Sequence, residues 1–87
     1  MNITVIMVQK NLKRTDFVRI LRYYGVAEDT KSGKGSHTKF WKMIDGKKFS
    51  YPVPGDRVVK PCYIRGARKK FKLTAKDNVT DDDFFSR

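Results

Sequence analysis

The only histidine in the chain, His37, closes the run Lys31-Ser32-Gly33-Lys34-Gly35-Ser36. Glycines let backbone N–H groups approach an anion closely, and lysines add positive charge. An imidazole titrates near pH 6.5, so it can give or take a proton around neutrality. These residue types together read as a phosphate cradle with a proton carrier at its edge, and Lys39 adds a further cation just beyond it. For a lone histidine in an arbitrary sequence, an idle exposed strand position is the commoner role. The Gly-Ser-His context reverses that preference.

Other chemistry is poorly supplied. Cys62 is the single cysteine and has no partner for an internal disulfide, and one histidine with one cysteine falls short of the four N/S ligands of a structural zinc. It reads as an inert, semi-buried thiol. Asp81, Asp82 and Asp83 are consecutive, and consecutive carboxylates rarely converge on one Mg²⁺. They suit a helix N-terminus better. No metal and no cofactor is expected.

The charge points to a partner. Twenty lysines and arginines against nine acidic residues give +11 over 87 residues, a field that attracts polyanions before any specific contact forms. Residues 74–87 hold Lys76 and Arg87 against Asp77, Asp81, Asp82 and Asp83, leaving −2 on the tail and +13 on residues 1–73. Nucleic acid is the leading class of partner. The apolar run Ile3 to Val8 is too short to span a membrane and has no basic segment or cleavage site of a signal peptide, so a reducing cytoplasm and no membrane are expected.

The length suits one domain with one small core. Residues 1–10 read as a strand-like extension, either an edge strand or a dimer contact, although Met7 is a second candidate start. Thr15 and Asp16 suit a helix start. Phe17, Ile20, Leu21 and Tyr24 then form one apolar stripe before Gly25, leaving Lys13, Arg14, Arg19 and Arg22 for solvent or phosphate. Val26 to Asp29 suits a short strand, and Thr30 to Gly35 a loop. Strands over Ser36–Ile44 and Lys47–Val53 flank Asp45-Gly46, the dipeptide that best tolerates a two-residue hairpin. Pro52, Pro54 and Gly55 should end the sheet. Pro61 opens a second helix with Ile64, Ala67 and Phe71 inward and Arg65, Lys69, Lys70 and Lys72 outward, where Lys69 is assigned to phosphate. Gly66 should weaken that helix by about 0.5–1 kcal/mol relative to alanine. The tail, residues 74–87, is either disordered or carries a short helix begun at Thr80. Phe40 and Trp41 are strand neighbours facing opposite sides. Phe40 is expected in the core, and Trp41 is open between core and base stacking.

The predicted class is α+β. The order helix, three antiparallel strands, helix (α-β-β-β-α) packs both helices on one sheet face, the layout of a double-stranded-RNA-binding domain. Over about Asp16 to Leu73 the sequence resembles the HicA family of bacterial toxins, the RNA-cutting halves of HicA/HicB toxin–antitoxin pairs. The resemblance rests on Phe17-Val18-Arg19-Ile20-Leu21 before Gly25, Gly35-Ser36-His37 with Phe40, Asp45-Gly46, Val53-Pro54 and Val59-Lys60-Pro61. It implies a core over residues 15–73 of the dsRNA-binding type, catalysis by His37, and a HicB-type antitoxin as partner. Two departures stand out. Gly55 and Asp56 occupy the stretch where many relatives carry a second histidine, which excludes a two-histidine mechanism. Gly66 and Arg68 stand where the last helix should be apolar.

RNA cleavage needs a base for the 2′-hydroxyl proton, cations for the phosphate in transition and an acid for the leaving 5′-oxygen. The assignment is His37 for proton transfer without a metal, with Lys31, Gly33, Lys34, Gly35, Ser36, Lys39 and Lys69 contacting RNA. The expected activity is that of an mRNA interferase, a metal-independent endoribonuclease. The alternative is a non-catalytic RNA-binding module of the same fold with an incidental histidine; a DNA-binding repressor is a remote third reading.

Overall fold

The computed structural model describes residues 10–29 and 37–87. The expected strand over 3–8 and the expected loop contacts of Lys31, Gly33, Lys34, Gly35 and Ser36 lie outside these residues. In chain order the elements are β1 (Leu12–Lys13), α1 (Arg14–Tyr23), β2 (Ala27–Asp29), β3 (His37–Ile44), β4 (Lys47–Pro54), β5 (Val58–Val59), α2 (Pro61–Lys70), a 3₁₀ turn (Ala75–Asp77) and α3 (Asp81–Phe85). The result is an α+β fold around a three-stranded antiparallel sheet in the order β2-β3-β4, with a small β1-β5 ladder beside it. Among the described residues no helix is long and apolar enough to cross a membrane.

Helix α1 buries Phe17, Ile20 and Leu21, the stripe expected from their spacing. Its start differs from the expectation. Lys13, not Thr15, is the N-cap, and it makes no side-chain cap bond. The helix begins two residues early, where the Arg14 backbone N–H donates to the Arg57 carbonyl at 2.7 Å, so a loop replaces the hydroxyl cap.

Strands β3 and β4 meet at Asp45-Gly46, whose φ angles of +50° and +79° are those of a type I′ turn matched to the twist of a hairpin. The register pairs His37 with Pro54, Phe40 with Tyr51 and Ile44 with Lys47. β4 runs through Pro52 and ends at Pro54, directly before Gly55 and one residue beyond the expected end. Among the described residues β4 is an edge strand, and an edge strand has positions that need no ladder donor, which is where proline is tolerated.

Both helices cover one sheet face. Phe40 and Tyr51 are cross-strand partners, so they share a face; Phe17 of α1 meets Phe40 edge-on at 5.5 Å, while α2 lies against Tyr51 through Gly66. A Cβ at Gly66 would sit 1.9 Å from the Tyr51 hydroxyl and 2.5 Å from the ring carbon that bears it. The glycine that departs from the resembled pattern is therefore the one residue that lets a tyrosine ring seat against α2.

The second departure has an equally local cause. Arg68 is buried, 8% exposed, and its guanidinium donates to the Leu73 carbonyl at 2.8 Å, the Val79 carbonyl at 2.9 Å and the Asp81 carboxylate at 2.6 Å. It also lies over the Phe84 ring at 4.9 Å. A charge can be buried when it is paired and hydrogen-bonded, and these three bonds gather the chain after α2. Phe84 becomes fully buried against the core and stacks parallel to Tyr24 at 6.0 Å. The tail is thus ordered and helical, with Thr80 accepting from the Asp83 N–H in a capping box.

Candidate functional site

Strand alternation decides what surrounds His37. Phe40 and Val53 are buried toward the helices, so His37, Lys39, Trp41 and Met43 line the opposite, open face of β3. His37 and Lys39 are exposed, Met43 is 52% exposed and Trp41 is half-buried. The Lys48 ammonium sits 5.1 Å over the Trp41 ring, which leaves that indole on the open face in contact with a cation rather than in the core. Among the described residues nothing hydrogen-bonds the His37 imidazole, and His37 is the first residue of its strand.

Behind this face the strand ends are tied down. Arg14, expected to face solvent or phosphate, instead donates to the Pro54 carbonyl at 3.1 Å, to the Thr38 hydroxyl and to Glu28 at 3.4 Å. One guanidinium from α1 therefore touches β2, β3 and β4 beside the His37–Pro54 pair. The sequence offered a signal for this role: Arg14 lies one turn before Phe17, on the side of the helix that meets the sheet. Trp41 also had a legible signal, since its two-residue spacing from Lys39 and His37 places all three on one face.

Of the residues assigned to RNA, the structure brings His37 and Lys39 together. Lys69 lies elsewhere, on α2, lining a groove with Phe49 and Tyr51 on the helix-covered side of the sheet. Cys62 is exposed rather than semi-buried, because it occupies the second position of α2, on the side away from the core residue Ile64. Burial pushes the Tyr51 phenol up, with smaller contributions from neighbouring Cys62 and Tyr63, so it stays a neutral donor. Among the described residues no group of three His, Cys, Asp or Glu side chains is placed to hold a metal ion.

An exposed imidazole beside a lysine and an indole can exchange protons with a ligand laid across the sheet, hold its phosphate and stack a base. No family model, curated protein or solved structure matches the chain.

Proposed function

We propose that this protein is a metal-independent endoribonuclease of the HicA type, an mRNA interferase acting in the cytoplasm and restrained by a HicB-type antitoxin. The observation that carries the reading is His37. It stands exposed at the first position of β3, directly after Gly33-Lys34-Gly35-Ser36 in sequence, on one face with Lys39 and Trp41. The helix, three-strand, helix order around it is consistent with a dsRNA-binding type of fold.

In this reading the imidazole takes the 2′-hydroxyl proton, or delivers one to the leaving 5′-oxygen, while Lys34, Lys39 and the Gly33 and Gly35 backbone hold the phosphate. A single imidazole does one of these jobs at a time, so water supplies the other proton transfer. The 2′-hydroxyl requirement makes DNA a bound but uncut ligand. The acidic or aromatic surface of the antitoxin covers residues 31–37 and so shields His37.

The test is incubation of the purified protein with single-stranded RNA in EDTA. Cleavage of RNA but not of DNA, lost in His37→Ala, is expected. Tight binding without cleavage would instead identify a non-catalytic RNA-binding module.

A further inference from the structure

The molecule has a cationic concavity on the far side of the sheet from His37. A cleft of about 860 Å³ runs between the C-terminal half of α2 and the 3₁₀ turn, with Arg65, Lys69, Lys72 and Lys76 on its walls. Its two carboxylates are already engaged. Asp81 is the ion-pair partner of Arg68, and Asp77 accepts from the Thr74 N–H at 3.1 Å and the Thr74 hydroxyl at 2.9 Å. A smaller concavity of about 470 Å³ adjoins it and adds the aromatic side chains of Phe49 and Tyr51. The two share Gly66, Lys69 and Lys72, so they form one continuous groove from the β4 edge to the 3₁₀ turn.

Lys72 marks the junction, and its backbone is unusual. Its φ is +57°, the left-handed conformation that glycine usually supplies just past a helix end. The turn is otherwise regular, with the Leu73 N–H reaching the Arg68 carbonyl at 2.7 Å. A lysine there costs stability that glycine would not. What the position gains is a cation placed where the two concavities meet.

The geometry points to this groove as a second contact site for single-stranded RNA, with Lys69, Lys72 and Lys76 on backbone phosphates and Phe49 beneath a base. This rests on the reading of the protein as an RNA-binding enzyme and extends it. His37 and the Phe49 level of the hairpin are separated by five strand residues, about 17 Å, and lie on opposite faces. An RNA that occupies both crosses the exposed edge of β4. The protein therefore holds several nucleotides on one side of the cut, and short fragments bind at His37 alone.

The experiment measures binding of a fluorescent single-stranded RNA oligonucleotide to the full chain as a function of salt, in a His37→Ala background that prevents cleavage. Lys72→Gly/Lys76→Ala is compared with Lys47→Ala/Lys60→Ala, which removes the same charge outside the groove. The first pair should weaken binding at least about tenfold and lower the salt slope by about 1.4, two contacts at roughly 0.7 each. The second should change affinity by about twofold or less. Lys72→Gly alone suits the left-handed backbone, so it keeps or raises the melting temperature while weakening RNA binding, which separates folding from contact. Equal losses in the two pairs, or wild-type affinity in a folded Lys72→Gly/Lys76→Ala, would overturn the groove. If the wild-type chain binds RNA through the groove but never cuts it, the catalytic reading fails and the groove stands. If cleavage requires His37 while the groove variant binds normally, the groove fails alone.

Discussion

His37 and Arg68 are both nitrogen-bearing side chains with basic residues nearby in sequence, and the fold treats them oppositely. Arg68 is buried, with three hydrogen-bonded partners and an aromatic ring beneath it. His37 is exposed, and its imidazole has no hydrogen-bond partner among the described residues. In a chain with 20 basic residues, charge alone does not separate structural cations from available ones. Saturation does. Arg14 and Arg68 spend their donors inside the protein, whereas Lys39, Lys69 and Lys72 stand exposed.

The largest expected effect tests the exposed side of this comparison. His37→Ala should lower the cleavage rate by about 10²- to 10⁴-fold, since no second histidine exists to replace it. Thermal melting should meanwhile shift by less than about 4 °C, equivalent to well under 1 kcal/mol for a domain of this size. A large loss of melting temperature would place His37 with Arg68 among the structural residues.

Arg68→Ala should do the reverse. It leaves the Leu73 and Val79 carbonyls without their donor and releases the segment that carries Phe84, a loss of about 2–4 kcal/mol that lowers the melting midpoint by at least about 10 °C. Lysine should not rescue it, because a single ammonium cannot reproduce the three directions of the guanidinium fork. Calorimetry on Arg68→Ala and Arg68→Lys settles the matter; an Arg68→Lys variant as stable as wild type would contradict this account.

Gly66→Ala gives a smaller effect with an informative sign. Helix propensity by itself favours alanine, but the new Cβ would overlap the Tyr51 hydroxyl, and overpacking of this kind costs about 1–3 kcal/mol. Denaturant unfolding should show net destabilisation, and Gly66→Ala combined with Tyr51→Ala should be less destabilised than the two single losses added together. Additive losses would mean that the ring and the helix do not meet as described.

The smallest effect concerns acid. The Asp83 carboxyl is held below its ordinary value by hydrogen bonds from the Thr80 backbone N–H and hydroxyl, and Asp77 by the same two groups of Thr74. A carboxylate with a depressed folded pKa contributes its full stability above the ordinary Asp value of about 3.9 and loses it as the pH falls through the lower folded value. Asp83→Asn should therefore lower the neutral-pH midpoint slightly and flatten part of the stability loss below about pH 4. Acid titrations of wild type and variant that overlay would remove this contribution.

Local pattern carried much of the architecture. The stripe of Phe17, Ile20 and Leu21, the Asp45-Gly46 turn, the proline that opens α2 and the Thr80 cap each depend on neighbours a few residues away, so periodicity and turn chemistry reveal them. The amino-acid sequence by itself also determined the basic body, the single histidine and its position after a Gly-Ser step. Partners distant in the chain were decided only by the tertiary structure. Arg14 reaches Pro54 across forty residues, Gly66 exists for a ring on β4, and Arg68 gathers a tail that composition leaves between coil and helix. The same holds for the separation of Lys69 from His37, because which face of the sheet a helix covers is set by the whole core. Hydrogen-bond saturation and side-chain volume act between elements, and no spacing along one element encodes them.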